Sequence, residues 1–574
     1  MSKGFFALLL SIAFALINTK TIPTNDLKSA LNQAVPGDII ELKSGTYTGA
    51  PFGLKSGTAG KLITIRPATG AQVIFSGTQT SCIFDSYGIS YLKLEGPMEL
   101  KNAFCGVKVM NANYVNITGL KIHDTQEHGI VVSGHNNHIY NNEVYNCVMN
   151  NKATAKTKSY GWSQCVAVWG TGNGAFSSNI IFEKNYIHEG YGEGLDFLEC
   201  DNCKALKNNI TNGFSMNIYI DASKNIVVDG NVLRVNTNNY DTQWGRACGI
   251  GMAPESGSTP IDNILITNNI IIGTRMGIYF FTMDRGGTYN KVKILHNTIW
   301  KTSASPVWFR QPTTGTPSVC EMKNNFFYVD YVNEFIPKNS WSLGYNLYYN
   351  TYNVPSIYSD STSMAAQTLD IGSIFNKVSG CSDYNNHNLD IKCLRPSKSP
   401  GKFKLYHGGI APNNKVTLDY SGETRSTSKP SIGAFENQES GGSPGPDPDP
   451  EPEPTGDIQV DVYDVKFKIN YCVSGSVIKL VGSLNNWNVG NAITMNSEGN
   501  CVWSTTLSEG TKKSFTYKFV VANGSSASRW ENDPNRVFDG ESLALTASSS
   551  SSGSYQNCSF SKSGKLITLT CLWK

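Results

Sequence analysis

ILITNNII at residues 264–271 and VKILHNTI at residues 292–299 are two copies of one phrase. Related phrases precede them: NITGLKI (116–122), HIYNNEV (138–144), IIFEKNYI (180–187), KALKNNI (204–210) and IVVDGNVL (226–233). A twenty-odd-residue repeat without leucine-rich or helical signatures indicates a solenoid. Alternating Ile and Val make its rungs β-strands, so the expected fold is a parallel β-helix. One asparagine recurs at Asn142, Asn185, Asn209, Asn231, Asn269, Asn297 and Asn325. Stacked at an inward turn, these amides would form a ladder of side-chain hydrogen bonds, a structural role.

Aligning the rungs on their buried aliphatics gives one face in detail. Ile130, Val166, Leu195, Ile218, Ile250, Ile278 and Val307 form an inward column. The residue after each turns outward, giving Val131, Ala167, Asp196, Tyr219, Gly251, Tyr279 and Trp308. Two places on come Ser133, Trp169, Leu198, Asp221, Ala253, Phe281 and Arg310. Acids and aromatics thus gather on one sheet. Asp196 and Asp221 fall on adjacent rungs two places apart, which puts their α-carbons about 8 Å from each other. Carboxyls at roughly 6.5–9.5 Å suit an inverting glycosidase, one protonating the leaving oxygen and the other activating water. Glu193 is close enough to replace either, and Trp169 and Tyr219 are placed to stack sugars. Taken singly, each acid also fits a solvated strand residue.

A solenoid needs its ends covered. Residues 24–35 supply a short helix, with Thr24 as cap, Leu27 and Leu31 on one face and Pro36-Gly37 as stop. The following GDIIELKSGTYTG and SGTAGKLITIRP resemble the first rungs of secreted right-handed β-helix proteins of the pectate-lyase-like superfamily. Asp419, Gly422, Arg425 and IGAFE (432–436) resemble a tail of that group. The resemblance spans roughly residues 22–437. It implies the fold and leaves the chemistry open, because the NTD, GDD and GHG motifs of its polygalacturonase-like members are not in place. A lyase of this fold would imply calcium-binding acids and a basic residue, for which Arg246, Arg275 and Arg310 are available, and His128 is a further candidate base.

SPGPDPDPEPEPTG (443–456) alternates proline with acid and favours polyproline II, a stiff spacer of about 34 Å over residues 444–454. Beyond it VKFKINY, VIKLVGS, VWSTTL, FTYKFVV and LITLTCLW read as the short strands of a β-sandwich. VGSLNNW, VWSTTL, FTYKFVV and RWENDPNR, in that order, resemble the family-twenty carbohydrate-binding module, a starch-binding domain. The family's first site maps onto Trp487, Lys518, Trp530, Glu531 and Asn535. Two tryptophans in polar loops offer flat apolar faces to glucose rings. The tyrosines of the second site map near Ser474 and Asn500, leaving Trp503 in an apolar strand that reads as core. The GSLNNW loop is also similar to that of glycogen-binding modules.

The chain of 574 residues is too long for one compact domain, and a net charge of +3 gives no reason to expect nucleic acid or membrane as partner. Lys3 and the apolar run 5–17 read as a signal peptide, too short to span a bilayer. Of fourteen cysteines, ten precede the proline-rich stretch and four follow it, even counts that allow disulfides within each domain of a secreted protein. Cys200-Asp-Asn-Cys203 lacks a matching pair of ligands for zinc. Asn116, Asn209, Asn523 and Asn557 stand in glycosylation sequons.

The expected organisation is all-β: signal peptide 1–19, right-handed parallel β-helix 20–437, linker 438–457 and an immunoglobulin-like β-sandwich 458–574. Two functions remain open. One is a secreted, monomeric polysaccharide-degrading enzyme, glycosidase or lyase, held on starch or a related α-glucan; starch binding needs no cofactor, and calcium enters with a lyase. The other is a non-catalytic coat or adhesion protein with the β-helix as a rigid scaffold.

Overall fold

The computed structural model describes residues 21–572 apart from 155–160, 173, 237–247, 256–260, 282–288, 310–319, 330–340, 351–361, 367–373, 376–380, 382–383, 385, 387, 398–404, 411–415, 437–463, 474, 483–487, 509–513, 524–525, 531–535, 540–551, 556–557 and 564–565. The expected signal peptide, residues 1–19, and the proline-rich stretch lie outside these residues. The chain divides into two units, Met1–Gly441 and Gly442–Lys574.

The first unit is a parallel β-solenoid, and the repeated phrases are its rungs. One column of inward aliphatics runs Ile117, Ile139, Phe182, Ala205, Val228, Ile266, Ile294 and Met322, each paired in register with the next. A second runs Ile122, Val144, Ile187, Ile210, Leu233, Ile271, Ile299 and Phe327. The third is the expected column from Ile130 to Val307, with every neighbour as read from sequence. Their members are buried, most of them completely, so the interior is a continuous apolar stack.

Between the strands of the first and second columns the chain turns through one residue in the left-handed region, and the next residue is the ladder asparagine. Lys184, Lys207, Gly230, Asn268, His296 and Asn324 have φ between 53° and 67° and precede Asn185, Asn208, Asn231, Asn269, Asn297 and Asn325. From Asn185 on, each ladder oxygen accepts both the backbone N–H and the side-chain amide of the preceding rung's asparagine, as Asn269 does from Asn231 at 2.9 Å each; Asn142 Oδ1 accepts from Leu120 N. Each amide also donates to a carbonyl of the preceding rung, as Asn231 does to Ala205 at 2.9 Å. The ladder runs from Asn142 to Asn346. It corrects the sequence reading at one position. The member in rung 204–210 is Asn208, because Lys207 takes the left-handed turn; Asn209 starts the next strand and is exposed.

The amino-terminal cap is the helix Leu27–Gln33, which buries Leu27, Ala30 and Leu31 against the first rungs. Its N-cap is Asp26 rather than Thr24: the Asp26 carboxylate accepts from Ser29 N at 3.1 Å, while Thr24 Oγ1 accepts from Asp26 N. At the other end, buried Arg425 pairs with Glu436 at 3.3 Å and donates to Asn268 Oδ1 and to the carbonyls of Gly433 and Ala434. Asp419 accepts from the backbone N–H groups of Ser421, Glu423 and Glu436. Four disulfides lie in this unit, Cys82–Cys105, Cys147–Cys165, Cys200–Cys203 and Cys381–Cys393. Cys248 and Cys320 are free and buried, so the even count does not translate into complete pairing.

The second unit has two sheets. In one, Asp464–Asn470 lies between Val502–Leu507, antiparallel, and Leu566–Leu572, parallel. In the other, Ser514–Asn523 pairs with Val477–Gly482, Ser526–Trp530 and Arg536–Asp539. Phe467, Tyr517, Phe519, Phe538 and Phe560 fill its core, and Cys472–Cys501 and Cys558–Cys571 are its disulfides.

The ladder makes a stability prediction. Asn231→Ala removes the acceptor for Asn208 N–H and the donor to Ala205, and each buried group left unsatisfied costs about 1–3 kcal/mol. Denaturant unfolding should register a loss on the order of 3 kcal/mol. Asn209→Ala, one place outside the ladder, should stay within about 0.5 kcal/mol of the parent.

Candidate functional site

The outward columns are also in register: Ala167 pairs with Asp196, Asp196 with Tyr219, Tyr219 with Gly251, Gly251 with Tyr279 and Tyr279 with Trp308. Leu198 pairs with Asp221 and Asp221 with Ala253. Asp196 and Asp221 therefore sit on adjacent rungs, two places offset. They are not solvated: Asp196 is 2% exposed, Glu193 4%, Tyr219 6% and Asp221 8%.

Glu255, just past the strand Cys248–Ala253, closes over this stretch. Its carboxylate accepts from the Tyr219 hydroxyl at 2.6 Å, and its backbone N–H donates to Asp221 Oδ1 at 3.1 Å. Glu199 lies on the same side, close enough to Gly170 that a Cβ there would stand 2.4 Å from its Oε2. Burial above all, then the charge of Glu255, pushes the Asp221 carboxyl from 3.8 up to about 7; the Glu255 N–H opposes this, and Glu193 and Glu199 add to it. The Tyr219 hydroxyl is driven well above its ordinary range by burial and by Glu255, Asp221 and Glu193. Asp221 thus keeps its proton at pH values where ordinary carboxyls have lost theirs, the property a general acid requires.

Trp169 is half-buried, edge-on to the His128 ring at 5.2 Å. Its indole N–H is buried without a hydrogen-bond partner among the described residues. His128 itself is buried, with Nδ1 2.7 Å from the Gln164 carbonyl, and burial lowers its pKa. These contacts make it a support for Trp169. Arg275 lies over the Trp308 ring at 5.6 Å, whereas Arg246 and Arg310 fall outside the described residues. Among the described residues no group of three or more His, Cys, Asp or Glu is placed to hold a metal ion.

In the second unit, Trp530 ends the strand Ser526–Trp530 and is 41% exposed. It pairs with Val520, so by strand alternation it shares a face with Lys518. The Lys518 side chain is largely buried. Trp503 packs against the core and donates its indole N–H to Tyr471 O at 3.1 Å, the structural role expected of it. Trp487, Glu531 and Asn535 lie outside the described residues.

Residues 462–549 match the family model described as a starch binding domain, and residues 105–299 match that of the right handed beta helix region. The carboxy-terminal unit carries a starch-binding domain. The amino-terminal unit is a right-handed β-helix. Over 81 residues the chain is 40% identical to a glucoamylase of Neurospora crassa; the match spans 13% of this chain and only 13% of that relative's length. The solved structure of pectate lyase Pel9A aligns over 73% of this chain and 97% of its own length, at 15% identity and a TM-score of 0.41. A xylose complex of XylC aligns over 71% and 94%, at 11% identity and a TM-score of 0.44. In the starch-binding domain, Trp530 and Lys518 are the two residues of the expected first site that the described structure places, and they lie on one face.

Glu255 and Glu199 were missed by the sequence reading. Glu255 belongs to no repeated phrase, and Glu199 occupies a left-handed turn (φ 54°) between strands, so neither carries a periodic signal.

A carboxyl raised in the folded state favours folding while protonated, so its contribution is complete below pH 3.8 and lost as pH rises toward about 7. The β-helix of the parent protein should lose thermal stability across this window. Asp221→Asn should flatten that decline in melting curves taken across the window; equal slopes in the two proteins would contradict the burial of Asp221.

Proposed function

We propose that the protein is a secreted, monomeric glycan hydrolase held on starch or a related α-glucan by its starch-binding domain. The carrying observation is the Asp221 carboxyl, raised to about 7, one rung and two places from Asp196 on the same face. Asp221 protonates the glycosidic oxygen as the bond to the anomeric carbon breaks. Asp196 takes a proton from the water that attacks that carbon from the other side, and Glu193 flanks the pair. The roughly 8 Å offset leaves room for this water and predicts inversion. Two carboxyls suffice for hydrolysis, and starch binding needs no cofactor; calcium belongs to the lyase alternative. Six disulfides support an oxidising, extracellular location. The covered solenoid ends support a monomer.

The near-complete burial of the carboxyls favours a second reading, a non-catalytic extracellular scaffold. A panel of polysaccharides separates the two. Asp221→Asn and Asp196→Asn should each lower turnover by about 10²–10⁴, and proton NMR of the first product should show the inverted anomer. Turnover unchanged in both variants would exclude the pair, and a parent protein that cleaves no glycan would leave the scaffold reading.

The starch-binding domain is tested separately. Trp530→Ala in the full chain should weaken retention on starch by about 1–3 kcal/mol, the usual cost of losing a stacked aromatic anchor. Unchanged retention would remove Trp530 from the site.

A further inference from the structure

We infer that Tyr279, Phe281 and Trp308 form a platform for the sugar rings of a neutral α-glucan chain lying along the solenoid axis, two rungs beyond Asp221. The inference deepens the hydrolase reading and rests on it for the position of the scissile bond.

The register places the platform. Tyr279 follows Asp196, Tyr219 and Gly251 in one outward column, and Trp308 follows Tyr279. Phe281 continues the column of Asp221 and Ala253, its N–H donating to Met252 O at 2.8 Å. The rung between acids and aromatics carries only the small residues Gly251 and Ala253 in these columns, both buried, with the Met216 side chain packed over Gly251. A Cβ on Gly251 would stand 2.4 Å from Met216 Sδ, which keeps that position small. Successive rungs lie ~4.8 Å apart, so the platform begins roughly 10 Å from the rung of Asp221, a span of about two sugar rings.

The rings are held from beneath. Tyr279 lies 5.7 Å from both Phe281 and Trp308, at tilts of 44° and 53°. All three pack on a buried base of Met216, Tyr219, Cys248, Ala253 and Met276 while remaining partly exposed. A fixed, tilted aromatic surface beside a polar cleft suits the C–H faces of pyranose rings.

Charge decides the class of sugar. Glu193, Glu199 and Glu255 are near enough to Asp221 to raise its pKa. A uronate chain would bring its carboxylates beside Glu193, Glu199 and Glu255. A neutral chain meets no such penalty. Elimination requires a proton on the carbon next to a uronate carboxyl, so a neutral substrate leaves hydrolysis as the reaction. The starch-binding domain in the same chain directs the protein to neutral α-glucan.

The test titrates the full chain calorimetrically in a Trp530→Ala background, which mutes the starch-binding domain. Probes are α-linked gluco-oligosaccharides and an oligogalacturonate. Trp308→Ala should weaken long gluco-oligosaccharides roughly tenfold, whereas Trp308→Phe, which keeps a ring, should retain most of the affinity. Unchanged melting in both variants would separate lost contact from lost fold. Equal affinities for parent and Trp308→Ala, or a preference for oligogalacturonate, would overturn the platform. Binding is read without turnover, so platform-dependent affinity in a protein that cleaves nothing would sink the hydrolase and leave the platform standing.

Discussion

The asparagine ladder is the constraint on which the β-helix depends. At every rung a left-handed residue turns the chain sharply, which would strand the backbone groups around it in an apolar interior. The following asparagine resolves this, since its oxygen takes two donors from one neighbouring rung and its amide reaches a carbonyl there. Because each amide must meet the next, no rung can slip by a residue. Slippage would also throw the aliphatic columns outward, so polar and apolar forces specify the same register.

That register builds the candidate site. An acid and a tyrosine become neighbours only because their rungs are locked at one spacing, and Asp221 lies diagonal to Asp196 for the same reason. Burying Glu193, Asp196 and Asp221 close together opposes folding, and the protein accommodates them in two visible ways. Glu255 lends a backbone N–H to Asp221 and accepts from Tyr219, and Asp221 retains a proton. Structural networks also shift titratable groups; at the carboxy-terminal end, where Arg425 meets Glu436, burial lowers the Arg425 guanidinium to about 10. The groove differs in bringing acid against acid, with an aromatic surface continuing along the same columns.

The starch-binding domain follows another logic. Its aromatic core and two disulfides hold a small sandwich together. Trp530 is exposed at the end of its strand, whereas Trp503, a similar residue in an apolar strand, is absorbed by the core. Local polarity separated the exposed tryptophan from the packed one in the sequence.

The sequence by itself determined the solenoid, its inward and outward columns, the cap helix and the starch-binding domain, because each rests on periodicity or local pattern. It placed Asp196, Asp221, Tyr219 and Trp308 on one face for the same reason. It misread Asn209 for Asn208, since two adjacent asparagines differ only in which one follows the left-handed turn. Burial of the carboxyls, the contacts of Glu255 and Glu199, and the free state of Cys248 and Cys320 came only from the tertiary structure. They depend on segments outside the repeat and on distances between rungs, and neither leaves a periodic trace along the chain.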